Sequence, residues 1–234
     1  MRLIVIVAFV SAVLLAWPQA AWARVYGLSP RIVIIDPGHG GRDSGAVYGG
    51  VGEATVNVAV GRALADELQS AGISAVLTRK GAAGVLPPGT HYAVRPREEM
   101  RERVRRARLY HFDAFLSLHC NAWAGGGARG AQAFVDPAAL ASSGRLGASL
   151  SEAFREGLPH ARPLSRKINH LVLKSLQDRT VVTVEMGFLS DGNERANLTS
   201  PSYHRRLARV ITMGLARYFS DVDGREASTR PLLE

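Results

Sequence analysis

RIVIIDPGHGG, Arg31 to Gly41, runs an apolar stretch directly into a loop of proline, glycine and one histidine. The stretch Arg31–Ile35 is short and almost continuously apolar, as a strand covered on both faces is. His39 then falls in the loop beyond the strand's carboxyl end. A tight turn with an incidental histidine is one reading. A metal ligand, placed where backbone and substrate must come close, is the other, and the rest of the chain has to separate them.

Five more runs have the same character: Ile73–Arg79, Phe112–Leu118, Ala131–Val135, His170–Leu173 and Val181–Met186. Helical periodicity lies between and after them. Val56, Val60, Ala63, Leu64, Leu68 and Ala71 form one face of a helix that Gly72 stops. A second helix is predicted over Pro96–Tyr110, with proline near its start, a third over about Ser143–Glu156, and a last over about Ser202–Phe219. Strands alternating with helices predict one α/β domain, residues 24–219, with a mainly parallel central sheet of about six strands flanked by helices. Strand order is not legible at this level. Lys80–Val94 reads as a long Gly/Pro loop, and loops at strand ends often border active sites. The polar segment Ser220–Glu234 is expected to be a disordered tail.

The first residues follow a different grammar. Arg2 is followed by the apolar segment Leu3–Trp17 and the small-x-small triplet Ala21-Trp22-Ala23. This predicts a secretory signal peptide over residues 1–23, cleaved after Ala23; the apolar segment is short of the roughly 20 residues a membrane span needs. An uncleaved anchor is the competing reading. Export to the periplasm or the extracellular envelope argues against a nucleic-acid partner, despite a formal charge of +9. An anionic envelope polymer or a phospholipid surface suits that charge better. The basic run Arg95–His111 has acids interleaved and reads as a solvated helix face. With one cysteine, Cys120, no internal disulfide forms.

In an open α/β sheet, functional loops lie beyond the carboxyl ends of the strands. His39 and His119 sit at such ends, and Glu185 lies near the end of Val181–Met186. Glu53 opens the first helix, where a carboxylate is favoured by the helix dipole alone. Glu185 is the harder residue to dismiss, because a carboxylate in a buried strand is unfavourable unless paired, hydrogen-bonded or bound to metal. Two imidazoles and two carboxylates at one sheet edge supply a three-ligand zinc site plus a general base. That arrangement suits metal-assisted hydrolysis of an amide. Cys120 adjoins His119, so its side chain points to the opposite face of a strand and reads as a packed core residue. No G-x-S-x-G elbow is present. Asp36 and Asn121 are candidates for hydrogen bonds that orient ligands.

DPGHGG with Asp43, then Glu53 with Asn57, then SLHCNA, then VEMGFLSD, resemble in order and spacing the zinc-dependent N-acetylmuramoyl-L-alanine amidases of the Amidase_3 type. The resemblance spans about Arg31 to Phe219. It implies zinc ligands at His39, Glu53 and His119, a catalytic glutamate at Glu185, and peptidoglycan as substrate. The bond cut would join N-acetylmuramic acid to the L-alanine of the stem peptide. Departures occur at Ala54-Thr55, Ala107-Arg108 and Ser190-Asp191, none at a ligand. The span between Asn121 and Val184 is too short for the inhibitory helix some relatives carry, which leaves activation by a protein partner an open question for this chain. A non-catalytic peptidoglycan-binding protein on the same fold, or a zinc peptidase cutting within the stem peptide, are the alternatives. Asp43 and Asn57 join Asp36 and Asn121 as candidates for supporting or substrate contacts.

Overall fold

Along the first strand, β1 (Ile32–Pro37), Val33 and Ile35 enter one apolar cluster and Ile34 enters another. A strand whose alternate residues are both buried must lie inside a sheet covered on two faces. The computed structural model describes residues 31–81, 83–86, 96–166 and 171–229. The expected signal peptide, most of the Lys80–Val94 loop and residues 230–234 lie outside the described residues.

After β1 come a two-residue hairpin, β2 (Val47–Tyr48) and β3 (Val51–Gly52), and helix α1 (Glu53–Ser70). Then follow β4 (Ser74–Leu77), α2 (Pro96–Ala107), β5 (Ala114–Asn121), β6 (Gln132–Phe134) and α3 (Ala141–Gly157). The chain closes with α4 (Leu171–Ser175), β7 (Val181–Phe188), α5 (Gly192–Leu198) and α6 (Pro201–Thr229). The main sheet has the order β4-β1-β5-β7-β6. Its first four strands are parallel, and β6 runs antiparallel to β7. The α/β fold with a mainly parallel sheet is therefore as expected.

The two faces of the sheet are covered differently. Helices α1, α3 and α6 close the larger apolar cluster, against Val33, Ile35, Leu116, Leu118, Val182 and Val184. On the other face, Val104 and Ala107 of α2 and Val172 and Leu173 of α4 cover Ile34 and Phe115. Polar residues share this second face: Asp36, Ser117 and Thr183 follow Ile34, Phe115 and Val181 by two positions, and all three are buried.

Three expectations change. His170–Leu173 is not a sixth strand: among its described residues, Leu171–Leu173 open helix α4, and Val172, Leu173 and Leu176 bury at helical spacing. Among the described residues the central sheet thus has five strands. Helix α6 continues beyond Phe219 to Thr229; Val222 packs against the core and Asp223 pairs with Arg31, so the tail expected from Ser220 is helical over its described part. Finally, the basic run of α2 is not wholly a solvated face. Arg105 and Arg106 do pair with Glu102 at the surface, but Arg103 is buried.

Candidate active site

The sheet brings the candidate residues to the edge formed by the carboxyl ends of β1, β5 and β7. His119 and Glu185 are register partners on the adjacent parallel strands β5 and β7, so their side chains leave the same face. His39 follows β1, and its ring meets that of His119 edge-on, with centroids 4.9 Å apart. Glu53 arrives from the first turn of α1. One carboxylate oxygen, Oε1, lies 3.1 Å from His39 Nε2 and 3.0 Å from His119 Nδ1, and accepts from the Cys120 N–H at 3.0 Å. The other, Oε2, accepts from the Ala46 N–H at 3.0 Å. One ligand atom from each of His39, Glu53 and His119 falls within a 4.8 Å cluster.

Local backbone explains why the sequence is so rich in glycine here. His39 itself adopts φ 62°, a left-handed conformation uncommon for a residue with a side chain. Such strain persists only where neighbours over-determine it, and they do. The Gly38 N–H donates to the Leu118 carbonyl at 2.8 Å, and Gly40 and Asp43 exchange backbone hydrogen bonds at 2.8 and 3.1 Å. A Cβ on Gly45, at φ 64°, would come within 2.5 Å of Glu53 Oε2 and 2.7 Å of the His39 ring.

Two buried arginines clamp the same loop from beneath, and both escaped the sequence reading. Arg79 donates from Nε to the Pro37 carbonyl at 2.7 Å, and from one Nη to the carbonyls of Gly38 at 2.6 Å and Ala54 at 3.0 Å. It thereby ties the loop of His39 to the helix of Glu53. Burial and the neighbouring Arg103 push its pKa down to about 10. Arg103 donates to Asp36 Oδ1 at 2.7 Å and to the His39 carbonyl at 3.2 Å. A signal for Arg103 exists in the sequence: it interrupts the apolar helical stripe of Met100, Val104 and Ala107. Arg79 gives no comparable signal, since it ends a strand pattern as exposed arginines often do.

The supporting candidates separate accordingly. Asp43 touches a candidate ligand: its Oδ2 lies 2.8 Å from His39 Nδ1, while Oδ1 accepts from the Gly45 N–H at 3.0 Å. Asp36 acts at one remove, through Arg103, and also accepts from Thr78 at 2.6 Å and Ser117 at 3.3 Å. Asn57 donates to the Gly38 carbonyl at 3.1 Å and is fully buried, so it braces the loop. Asn121 accepts from the Ala122 N–H at 2.8 Å, a local turn at the end of β5. Cys120 is buried in the core, and its thiol is pushed well above its usual range by burial and nearby carboxylates.

The charges of the site follow from burial and contact. Burial raises the pKa of Glu53, but the two histidines outweigh it and hold the carboxyl well below its usual range. For His39, burial opposes the proton while Glu53 and Asp43 favour it, and the pKa is raised. Glu185 behaves oppositely to Glu53. It is almost wholly buried, and burial, with Glu53 adding, raises its pKa to about 7 against the opposing pull of His119 and His39. Its Oε2 is buried and has no hydrogen-bond partner among the described residues. An anionic carboxylate joined to two imidazoles is a donor set for zinc. A buried carboxyl with a raised pKa and an unsatisfied oxygen, one strand away, is suited to moving a proton.

Two of the departures noted in the sequence have structural roles. Asp191 caps α5, accepting from the N–H groups of Asn193 and Glu194 at 3.0 Å. Arg108 pairs with Asp178 at 2.8 Å, joining α2 to the segment after α4. Glu194 is another residue the sequence did not disclose: it accepts from the Phe188 N–H at 2.6 Å and the Gly130 N–H at 2.8 Å.

Known proteins show the same arrangement of chain. A germination-specific N-acetylmuramoyl-L-alanine amidase of Bacillus subtilis is 31% identical over 195 residues, which cover 83% of this chain and 82% of that relative. The CwlD amidase of Clostridioides difficile, solved in complex with the GerS lipoprotein, superposes with a TM-score of 0.76 at 26% identity, over 82% of this chain and 99% of the other. The amidase AmiC2 of Nostoc punctiforme superposes with a TM-score of 0.68 at 27% identity, over 82% and 98%. The profile described as N-acetylmuramoyl-L-alanine amidase matches residues 33–217, from the strand that delivers His39 to the helix that closes the core. The chain belongs to the N-acetylmuramoyl-L-alanine amidase family.

Proposed function

We propose that this amidase is an exported zinc enzyme of peptidoglycan, with His39, Glu53 and His119 as the metal's ligands and Glu185 as the proton-transfer group. The observation that carries the reading is the clustering of the three ligand atoms within 4.8 Å, next to a buried Glu185 oxygen left without a partner. A zinc ion, when bound, supplies Lewis acidity that polarises the scissile carbonyl and acidifies water toward a pKa of about 7. The remaining work belongs to the chain. Asp43 fixes the His39 ring through Nδ1, leaving Nε2 toward the cluster. Glu185, with a pKa near neutrality, accepts a proton from the attacking water at a carboxylate oxygen. It then delivers that proton to the nitrogen of L-alanine, so the stem peptide leaves as a neutral amine.

Export rests on residues 1–23 and on the location of the substrate. Among the described residues no helix is long and apolar enough to cross a membrane. The lipoprotein complex of the Clostridioides difficile neighbour makes a lipoprotein the first partner to test for this chain. The decisive experiment digests purified sacculi and weighs the products. Wild type is expected to release stem peptides beginning with L-alanine and to contain zinc; Glu185→Ala is expected to retain zinc and release none. Cuts inside the stem peptide would replace the reading with a zinc peptidase. Binding without any released peptide would replace it with a wall-binding protein.

A further inference from the structure

We propose that Arg162 binds a carboxylate of the stem peptide on the leaving-group side of the active site. This rests on the amidase reading above and names the feature of substrate that the site would select.

The argument starts from the sheet register. Gln132 of β6 is the antiparallel partner of Glu185 of β7, and Glu185 is the parallel partner of His119 of β5. Alternation agrees: Ala131, Ala133 and Val135 enter the cluster on the opposite face, as do Val184 and Met186. His119, Glu185 and Gln132 therefore form one row across three strands. Glu185 gives its proton to the nitrogen of L-alanine, so the peptide lies on the Glu185 side of the ligand cluster. Continuing the row in that direction leads to Gln132 and then to Arg162, which donates from Nε to Gln132 Oε1 at 3.1 Å.

The segment bearing Arg162 is built in place. It runs beside β6, with the Arg162 N–H donating to the Ala131 carbonyl at 2.9 Å and Ser165 bridging Phe134. A Cβ at Gly130, which has φ 98°, would overlap the His160 carbonyl oxygen, so only glycine allows this approach. His160 itself is left-handed, at φ 55°. The Arg162 guanidinium lies over the Phe188 ring, 5.6 Å from its centroid. Phe188 is in turn held by Glu194, which also holds Gly130. Stacking and the Nε bond immobilise an exposed guanidinium before any ligand arrives.

What that guanidinium lacks is an acid. Some surface arginines are paired with acids: Arg108 with Asp178, Arg129 with Asp191, Arg217 with Glu156. Arg162 has no carboxylate within ion-pair distance among the described residues. Its two terminal nitrogens remain as a fork of the shape that takes a carboxylate in two parallel hydrogen bonds. Strands are about 4.8 Å apart, which puts Arg162 on the order of 10 Å from Glu185. An extended peptide advances about 3.5 Å per residue, so carboxylates on the first few stem residues after L-alanine are in reach.

The test uses the full mature chain loaded with zinc and soluble muramoyl peptides in which each stem carboxylate is replaced by its amide in turn. For one of these peptides, wild type is expected to prefer acid over amide in kcat/KM by roughly tenfold, the worth of a charge-assisted hydrogen bond. The difference should sit in KM. In Arg162→Gln that preference falls to about one, and Arg162→Lys keeps part of it. Arg155→Gln, which removes a cation from α3 on the other face of the sheet, keeps the wild-type ratio. A wild-type preference that survives Arg162→Gln overturns the proposal, as does a wild type indifferent to every amidation. Thermal unfolding of Arg162→Gln at the wild-type temperature separates loss of recognition from loss of fold. Failure of wild type to release L-alanine-led peptides from sacculi would instead overturn the amidase reading.

Discussion

Gly38 lies against the ring of His119: a Cβ at position 38 would overlap Cε1 and Nε2 and come within 2.7 Å of Nδ1. The glycine is needed for space, since the histidine can sit at the end of β5 only because the β1 loop has no side chain there. Gly38→Ala therefore has two resolutions, a shifted loop or a displaced imidazole, and both disturb the cluster of His39, Glu53 and His119. Overpacking of this kind costs about 1–3 kcal/mol. Zinc affinity is expected to fall by at least about tenfold, the range seen when ligand orientation is lost. Competition with a chromogenic chelator measures it; wild-type affinity in Gly38→Ala would show that the ring has room to spare.

The buried pair of Asp36 and Arg103 gives a second prediction. Asp36 is wholly buried and receives hydrogen bonds from Arg103, Thr78 and Ser117. Arg103→Met leaves that carboxylate without its cation, and breaking a buried pair from one side costs about 3–5 kcal/mol. Removing both charges in Asp36→Asn/Arg103→Met should restore most of the loss, because the buried charge goes with its partner. Urea unfolding of the two single variants and the double variant checks this. Additive losses would mean that the pair is not coupled, and that Arg103 acts mainly through the His39 carbonyl.

Much of this arrangement is legible in the sequence, and the exceptions share a physical cause. Continuous apolar runs announce β1, β5 and β7, because strands covered on both faces admit few polar residues. The carboxylate that breaks such a run, Glu185, announces itself for the same reason. His170–Leu173 misleads because a short apolar run has no periodicity to separate strand from helix. Helix α5 is too polar to show an apolar face and is set by the Asp191 cap. The β2–β3 hairpin turns on Gly49-Gly50, both at positive φ, a signal the sequence does carry. Arg79 and Glu194 are invisible for another reason. They act on backbone carbonyls and N–H groups of distant segments, and no spacing rule encodes such contacts.

The raised pKa of Glu185 makes stability depend on pH. With burial raising it to about 7 in the folded, metal-free chain, folding favours the protonated acid. Its contribution is then fully present below the ordinary glutamate value and is lost as pH rises through about 7. Glu185→Gln cannot ionise, so it should match wild type in acid and exceed it above neutrality, by on the order of 3 kcal/mol at the limit. Thermal unfolding of chelator-treated protein across that range is the measurement. A constant difference between the two proteins at all pH values would mean that Glu185 ionises as an exposed glutamate does. With zinc present the gap should narrow, because a nearby dication favours the carboxylate.

Asp43 offers the sharpest separation of two effects that oppose each other. Its Oδ2 holds His39 Nδ1 and its Oδ1 holds the Gly45 N–H, and Asp43→Asn has only one oxygen for both tasks. Loss of ring orientation should weaken zinc binding by roughly 10- to 100-fold. The same substitution removes one of the carboxylates that raise the pKa of His39. Zinc needs His39 neutral, so a lower pKa reduces competition from the proton, and that relief exists only where His39 is protonated. The deficit of Asp43→Asn should therefore be largest at about pH 8 and smaller at about pH 6, on either side of the ordinary histidine value. Chelator competition at the two pH values reads it directly. A deficit equal at the two pH values would mean that Asp43 does not set the His39 proton affinity.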